Sequence, residues 1–229
     1  MNSYHDARNR DRKTPGQEGA ALLVTLLTVV ILTVTITEFL YSTWVDRSFA
    51  RRLLRNLDVD PDVADYVRDW ITTNNEGPAK DAYYASLPNP YRCKNARLDS
   101  IEELRRVRGV THEVFNKIRP FVTIRSPGTV NINTAPQEVL MALDGDITSS
   151  LADAVIRARN EMPFKTKNEI QNIPGFTSIF PRISNLIDVR TDTFSMSASI
   201  TFNETTRKAE AILTERTSSS AKVVYFRVN

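Results

Sequence analysis

Hydrophobic and polar positions follow three different rhythms along this chain. The first stretch is an uncharged apolar run from Ala20 to Thr37, AALLVTLLTVVILTVTIT, set behind a short charged leader carrying Arg8, Arg10, Arg12, Lys13 and Glu18. At the helical rise, a run of about 18 residues spans roughly 27 Å, close to the hydrocarbon thickness of a bilayer. The helix is expected to continue through WVDRSFARRLLRNL, where Val45, Phe49, Leu53 and Leu57 recur on one face. Asp60 and Pro61 open a second helix with Val63, Val67, Trp70 and Ile71 as its buried stripe, and Asn74, Asn75 and Gly77 end it. A loop rich in proline and tyrosine follows.

From Ser100 the rhythm becomes that of short capped helices. Ser100 with Glu103, Thr134 with Gln137, and Thr166 with Glu169 each read as a capping box, offering side-chain acceptors to unpaired backbone N–H groups. Tight turns separate them: Arg108-Gly109-Val110, Asp144-Gly145-Asp146 and Pro174-Gly175-Phe176. The pattern is that of a helix-hairpin-helix-like bundle, and FVTIR at Phe121 to Arg125 adds a short strand. At the end of the chain the period falls to two. Phe194, Met196, Ala198, Ile200 and Phe202 alternate with Ser195, Ser197, Ser199 and Thr201, so one face is expected to be core and the other wet. Strands near 207–214 and 222–228 complete an antiparallel meander. The expected fold is α+β: a long N-terminal transmembrane helix, an inserted helix-hairpin-helix (SAM-like) α-domain and an antiparallel sheet. The boundaries fall at 1–19 for the leader, 20–57 for the membrane and assembly helix, 58–190 for the helical domain and 191–229 for the sheet.

The junction at Gly19 and Ala20 sets the location. A secretory signal is cut after its apolar region, but here Glu38, Phe39, Tyr41 and Trp44 follow with no small-residue cleavage site. A prepilin-type signal is cut before the apolar helix, after a glycine, which makes Gly19 the processing residue for a prepilin peptidase and Ala20 the new N-terminus. An uncleaved anchor is the competing reading, and the basic leader stays cytoplasmic under either. Leu22, Leu23, Val24, Leu26, Leu27, Val30 and Ile31 then form the membrane and assembly helix. Val24 stands at the fifth mature position, where most pilins and pseudopilins carry a glutamate that neutralises a neighbour's N-terminal ammonium. A subunit lacking that carboxylate fits the end of a filament better than its repeating body.

Composition narrows the chemistry. The formal net charge of +3 calls for no nucleic acid or other acidic partner. Cys93 is the only cysteine, which excludes an intramolecular disulfide and suits a partly buried apolar side chain. With His5 in the leader and His112 at a helix start, no metal cluster or catalytic constellation is expected and the chain reads as no enzyme.

Several blocks, in one order, resemble the type II secretion system minor pseudopilins of the general secretion pathway protein K family: GAALLVTLLTVV, DYVRDWI, the long block from DAYYASLPNPYRCKNARLDS to NKIRPFVTI, VNINTAPQEVLMAL, IPGF and IDVRTDTFSMSASI. The middle block carries most of the specificity, through Tyr84, Pro90, Tyr91, Arg92, Asn95, Glu103, Leu104, Arg108 and Gly109. The resemblance implies a structural role at the tip of a periplasmic pseudopilus. Partners would be other minor pseudopilins, the major pseudopilin and the inner-membrane secretion platform, with the chain anchored once in the bacterial inner membrane and its globular part periplasmic.

Some members of that family bind calcium, which needs six or more oxygens. Asp69, Asn74, Asn75, Glu76 and Asp81 could contribute, but Thr72 and Asn74 stand where the family often has carboxylates, and a solvated loop explains the group equally well. Two further readings remain. The segment from VNINTAP to IPGF also resembles the helix-hairpin-helix module of membrane-anchored DNA receptors, although Asp144 and Asp146 put negative charge where a phosphate would sit. A minor pilin of a type IV pilus or competence filament would share both the signal and the sheet.

Overall fold

In the computed structural model, which describes residues 24–33, 47–74, 76–125, 128–191, 193–203, 205–214 and 222–228, the chain divides into two units, Met1–Asp46 and Arg47–Asn229. In the first, residues 24–33 are helical, and Val24, Leu26, Leu27, Val30 and Ile31 are each more than half exposed. The hydroxyls of Thr28 and Thr33 donate to the carbonyls of Val24 and Val29, both at 2.7 Å. That bond removes the polar groups of an otherwise apolar helix from the need for water. Gly19, Ala20, Leu22 and Leu23 lie outside the described residues, and no helix among the described residues is long and apolar enough to cross a membrane.

The second unit begins with a helix over 47–56 (α1) and continues through α2 (Val63–Ile71), α3 (Asp81–Ala85) and α4 (His112–Ile118), then α5 (Gln137–Leu143), α6 (Ser149–Glu161) and α7 (Phe180–Ile183). Two cores form. Leu54, Val63, Trp70, Tyr84 and Phe115 anchor the first, and Ile132, Leu140, Val155, Ile170 and Phe176 the second. Helix α1 serves both, because Leu54 lies in the first core while Phe49 packs on the second. On its other sides, Arg47 and Arg51 pair with Asp65 of α2, and Arg52 and Asn56 reach backbone carbonyls of α5. The second lobe is closed by a short parallel pair, β1 (Val130–Asn131) with β2 (Ile187–Asp188).

The two lobes contain the same motif twice. Ser100 and Glu103 form a reciprocal capping box at the start of a 3-10 turn over Ile101–Arg106, whereas the expected box of Thr166 and Glu169 does not form: Glu169 accepts the Lys165 N–H, and the turn over Lys167–Asn172 starts without a side-chain cap. Leu104, Val107 and Val110 are buried in the first copy, as are Ile170, Ile173 and Phe176 in the second. The backbone bonds repeat as well: Val107 N–H to Leu104 and Val110 N–H to Val107 at 3.0 and 3.1 Å, Ile173 N–H to Ile170 and Phe176 N–H to Ile173 both at 3.1 Å.

Strands β3 (Phe194–Phe202), β4 (Thr205–Thr214) and β5 (Lys222–Val228) form the expected antiparallel meander in the order β3-β4-β5. Three further expectations are corrected. Phe121 to Arg125 is not a strand: Pro120 holds Arg119–Phe121 in a 3-10 turn, and the residues that follow have no ladder partner. Thr134 and Gln137 form no capping box, because α5 starts after Pro136 and the Gln137 amide donates to Ser149 and Asp153 of α6. The apolar side of β3 is not core, since Met196, Ile200 and Phe202 are 61%, 72% and 75% exposed. A carboxylate placed at Ile200 would therefore stay hydrated and spare the melting curve.

Candidate functional site

Of the three glycine turns, two share one geometry. Gly109 and Gly175 lie at φ of +77° and +97°, the left-handed region that favours glycine, each one residue before a buried side chain of the repeated motif, Val110 and Phe176. Gly145 has no such backbone, and its turn is built from Asp144, whose carboxylate accepts the Asp146 N–H and binds Arg182. Arg182 also pairs with Asp146 at 2.6 Å, and its guanidinium holds the Asp144 carboxyl below the usual range. Arg108 works as a clamp. Its guanidinium lies 4.5 Å from the Tyr83 ring centroid and 4.9 Å from that of Tyr66, and it donates to the Pro78 carbonyl at 2.7 Å. The Arg108 N–H donates to the buried Tyr84 hydroxyl, and burial pushes that phenol up to about 12. Pro174 takes the place of Arg108 in the second copy, where no such clamp is built.

The calcium candidates do not converge on one point. Asp69 is 1% exposed and its carboxylate accepts the Ala79 N–H at 3.1 Å, while Asp81 accepts the Cys93 N–H at 2.7 Å. Asn74 and Glu76 are exposed on the loop, and among the described residues no group of three or more His, Cys, Asp or Glu is placed to hold a metal ion. The oxygens that do converge face a lysine. Lys80, 4% exposed, directs its ammonium at the carbonyls of Asp69 and Thr72 at 2.5 and 2.6 Å, at the Thr72 hydroxyl and at the Asn95 amide oxygen. These are carbonyls at the end of α2 that have no helical partner, so an internal cation caps the helix where its dipole is negative. Asn75 lies outside the described residues, and the described candidates thus do not fit a calcium ion here. Lys80→Met is expected to lower the unfolding free energy by about 3 kcal/mol, the scale of losing charged hydrogen bonds to buried acceptors. A urea melt of the two proteins measures it, and a shift under roughly 0.5 kcal/mol would mean that Lys80 carries no structural load.

The sheet supplies the second candidate surface. Paired residues of antiparallel strands share a face, so Met196 with Ala211 and Phe226, and Ala198 with Ala209 and Val228, lie on one apolar side with Ile200 and Phe202. Phe226 and Val228 are 65% and 57% exposed. Arg207 and Thr205, the β4 partners of Ile200 and Phe202, lie on the same side, so the apolar surface is concentrated around Met196, Ala198, Phe226 and Val228. The opposite side carries Ser195, Ser197, Glu210 and Tyr225, which line a cleft shared with Arg119 and Arg125.

Comparison with known proteins gives a consistent result. Residues 44–127 and 130–190 both match the family described as type II secretion system (T2SS), protein K. A type II secretion system protein K of Pectobacterium carotovorum subsp. carotovorum is 34% identical over 135 residues, covering 53% of this chain and 41% of that protein. One from Aeromonas hydrophila is 29% identical over 177 residues, covering 71% of this chain and 54% of the relative. The chain therefore spans about half the length of the curated relatives it matches. A chain in the crystal structure of the GspK-GspI-GspJ complex of the enterotoxigenic Escherichia coli type 2 secretion system has the same fold, with a TM-score of 0.63 at 17% identity over 80% of this chain and 69% of that one.

Proposed function

This chain belongs to the type II secretion system protein K family, and from that premise we propose that it is a minor pseudopilin, a structural subunit at the tip of a periplasmic pseudopilus that supports protein export across the outer membrane. The observation that carries the reading is the run of family matches across both lobes, 44–127 and 130–190. Its partners are two other minor pseudopilins, a reading supported by the shared fold with a chain of the GspK-GspI-GspJ complex. The major pseudopilin, the inner-membrane platform and the prepilin peptidase complete the set. The chain crosses the inner membrane once through the helix beginning at Ala20, its globular part lies in the periplasm, and its role needs neither catalysis nor a bound cofactor. The exposed side of β3–β5 that carries Met196, Phe226 and Val228 is the surface that assembly covers, since exposed apolar side chains gain from burial against a neighbour.

The test is the processing of the full chain. Coexpressed with a prepilin peptidase, the protein is expected to lose residues 1–19 and to carry a methylated Ala20, as intact mass and N-terminal sequencing would show. Gly19→Arg should keep its leader. A wild-type protein that retains residues 1–19 beside an active peptidase, or a Gly19→Arg protein that loses them, would overturn the pseudopilin reading.

A further inference from the structure

The carbonyls at the end of α2 are tied down by residues that follow the helix. That of Arg68 accepts the Thr72 N–H at 3.0 Å and the Thr72 hydroxyl at 2.9 Å, and that of Trp70 accepts the Asn95 N–H at 2.9 Å. The carbonyls of Asp69 and Thr72 are left to the Lys80 ammonium, which also faces the Thr72 hydroxyl at 3.4 Å and the Asn95 amide oxygen at 3.3 Å. Each acceptor is fixed by something other than the lysine. Asn95 stands at a φ of +51° with its N–H on Trp70, the Thr72 hydroxyl is held by its own bond to Arg68, and the two carbonyls belong to α2 and its cap. The chain then returns over Asp69, whose buried carboxylate takes the Ala79 N–H and so delivers Lys80 as the residue just ahead of α3.

These oxygens suit a primary ammonium and no spherical divalent ion. All four are neutral, and only the two carbonyls, at 2.5 and 2.6 Å from Nζ, lie at the distance a calcium ion requires, which also calls for about six to eight oxygens with carboxylates among them. An ammonium has three N–H donors to share among the four acceptors. Its charge is answered by the negative end of the α2 dipole and by the Asp69 carboxylate, buried on the residue whose carbonyl it binds.

We propose that the end of α2 is a built site for a primary ammonium, which the chain fills with its own Lys80, and that this tethered cation holds the link from α2 to α3 without any divalent metal. The site selects for N–H donors rather than for charge, because a cation that cannot donate leaves buried carbonyls unpaired. Emptied of the lysine side chain beyond Cβ, it has the shape of n-propylammonium, which carries the same three carbons and the same head.

Thermal melts of the full-length, detergent-solubilised protein at neutral pH, followed by far-UV circular dichroism, test the site. The parent is expected to melt at the same temperature, within about 1 °C, in EDTA and in millimolar calcium chloride, since a metal that binds only the native state would raise it. Lys80→Ala is expected to melt lower and to recover saturably in n-propylammonium chloride, by roughly 3 °C at about ten times the dissociation constant for a protein of this size. Sodium chloride and tetramethylammonium chloride at the same ionic strength should recover none of the loss. Asn95→Ala, which removes an acceptor but keeps the lysine, should melt lower and gain nothing from n-propylammonium. If Lys80→Ala does not fold unaided, it is refolded from urea in each salt, and recovery in n-propylammonium chloride alone is the expected result. A parent that melts higher in calcium by more than that margin, a Lys80→Ala protein that melts like the parent, recovery in sodium or tetramethylammonium as well, recovery in none of the salts, or an Asn95→Ala protein that gains from n-propylammonium would each overturn the proposal.

Discussion

Gly77→Ala is expected to lower the unfolding free energy by about 2–5 kcal/mol, although Gly77 lies on an exposed loop. Gly77 has a φ of +141°, and an added Cβ would overlap the Asp69 carboxylate. That carboxylate cannot swing away without cost. It is buried, and it holds the N–H of Ala79, itself 0% exposed, so moving it strands a buried donor. Backbone strain and the lost hydrogen bond therefore add. Urea unfolding monitored by far-UV circular dichroism would give the value, with Gly145→Ala as control, because nothing lies within 4 Å of a Cβ there and its backbone is ordinary. Equal stabilities for the two variants would rule out the packing of the 72–80 loop on Asp69.

Arg52→Ala should cost about 2–4 kcal/mol, and the loss should fall mainly on the second lobe. Its Nε and Nη2 donate to the carbonyls of Ala142 and Leu143 at 2.8 and 3.1 Å, closing the C-terminal end of α5. Burial lowers the pKa of this guanidinium, which marks a partly dry site where its partners would find no water in exchange. Without it, amide exchange should quicken through α5 and α6 while the amides around Trp70 and Tyr84 keep their protection. Uniform acceleration across both lobes would show that Arg52 does not hold α5 independently of the first lobe. Lysine should restore little, because a single ammonium cannot span two carbonyls as a fork does.

The β3 pattern reported two faces correctly and their burial wrongly, for a physical reason: alternation says that Phe194 and Ser195 point apart, but it does not say which side meets another layer. The run from Phe121 to Arg125 failed as a strand because a strand needs a ladder, and the parallel pairing went to Val130 and Ile187 instead. Lys80 was missed because lysine is almost never fully buried, and its signal is nonlocal, lying in unpaired carbonyls at the end of a helix eight residues or more away. The repeat is legible in the sequence. Ser100 and Thr166 each stand three residues before a glutamate and nine before a glycine, with Leu104 and Ile170, Val107 and Ile173, Val110 and Phe176 at matching offsets. Capping residues mark only local helix starts, and the longer period that joins them is carried by the buried positions and the glycine. Trp70 was read as core stripe, which it is, yet no spacing rule reports that its N–H lacks an acceptor.

Strand β3, at an edge of the sheet among the described residues, has a consequence for the solubility of the chain. Its nine residues, FSMSASITF, carry no charge, and the first ionisable groups lie outside it at Asp192 and Glu204. Strand β5, at the other edge, contains Lys222 and Arg227. An uncharged edge with one mostly apolar side recruits copies of itself into stacked ribbons, the hazard that gatekeeper charges exist to prevent. Overproduction of the protein should therefore yield inclusion bodies seeded from this strand, while a lysine at Ser197 or Ser199 would prolong the shelf life of the purified protein.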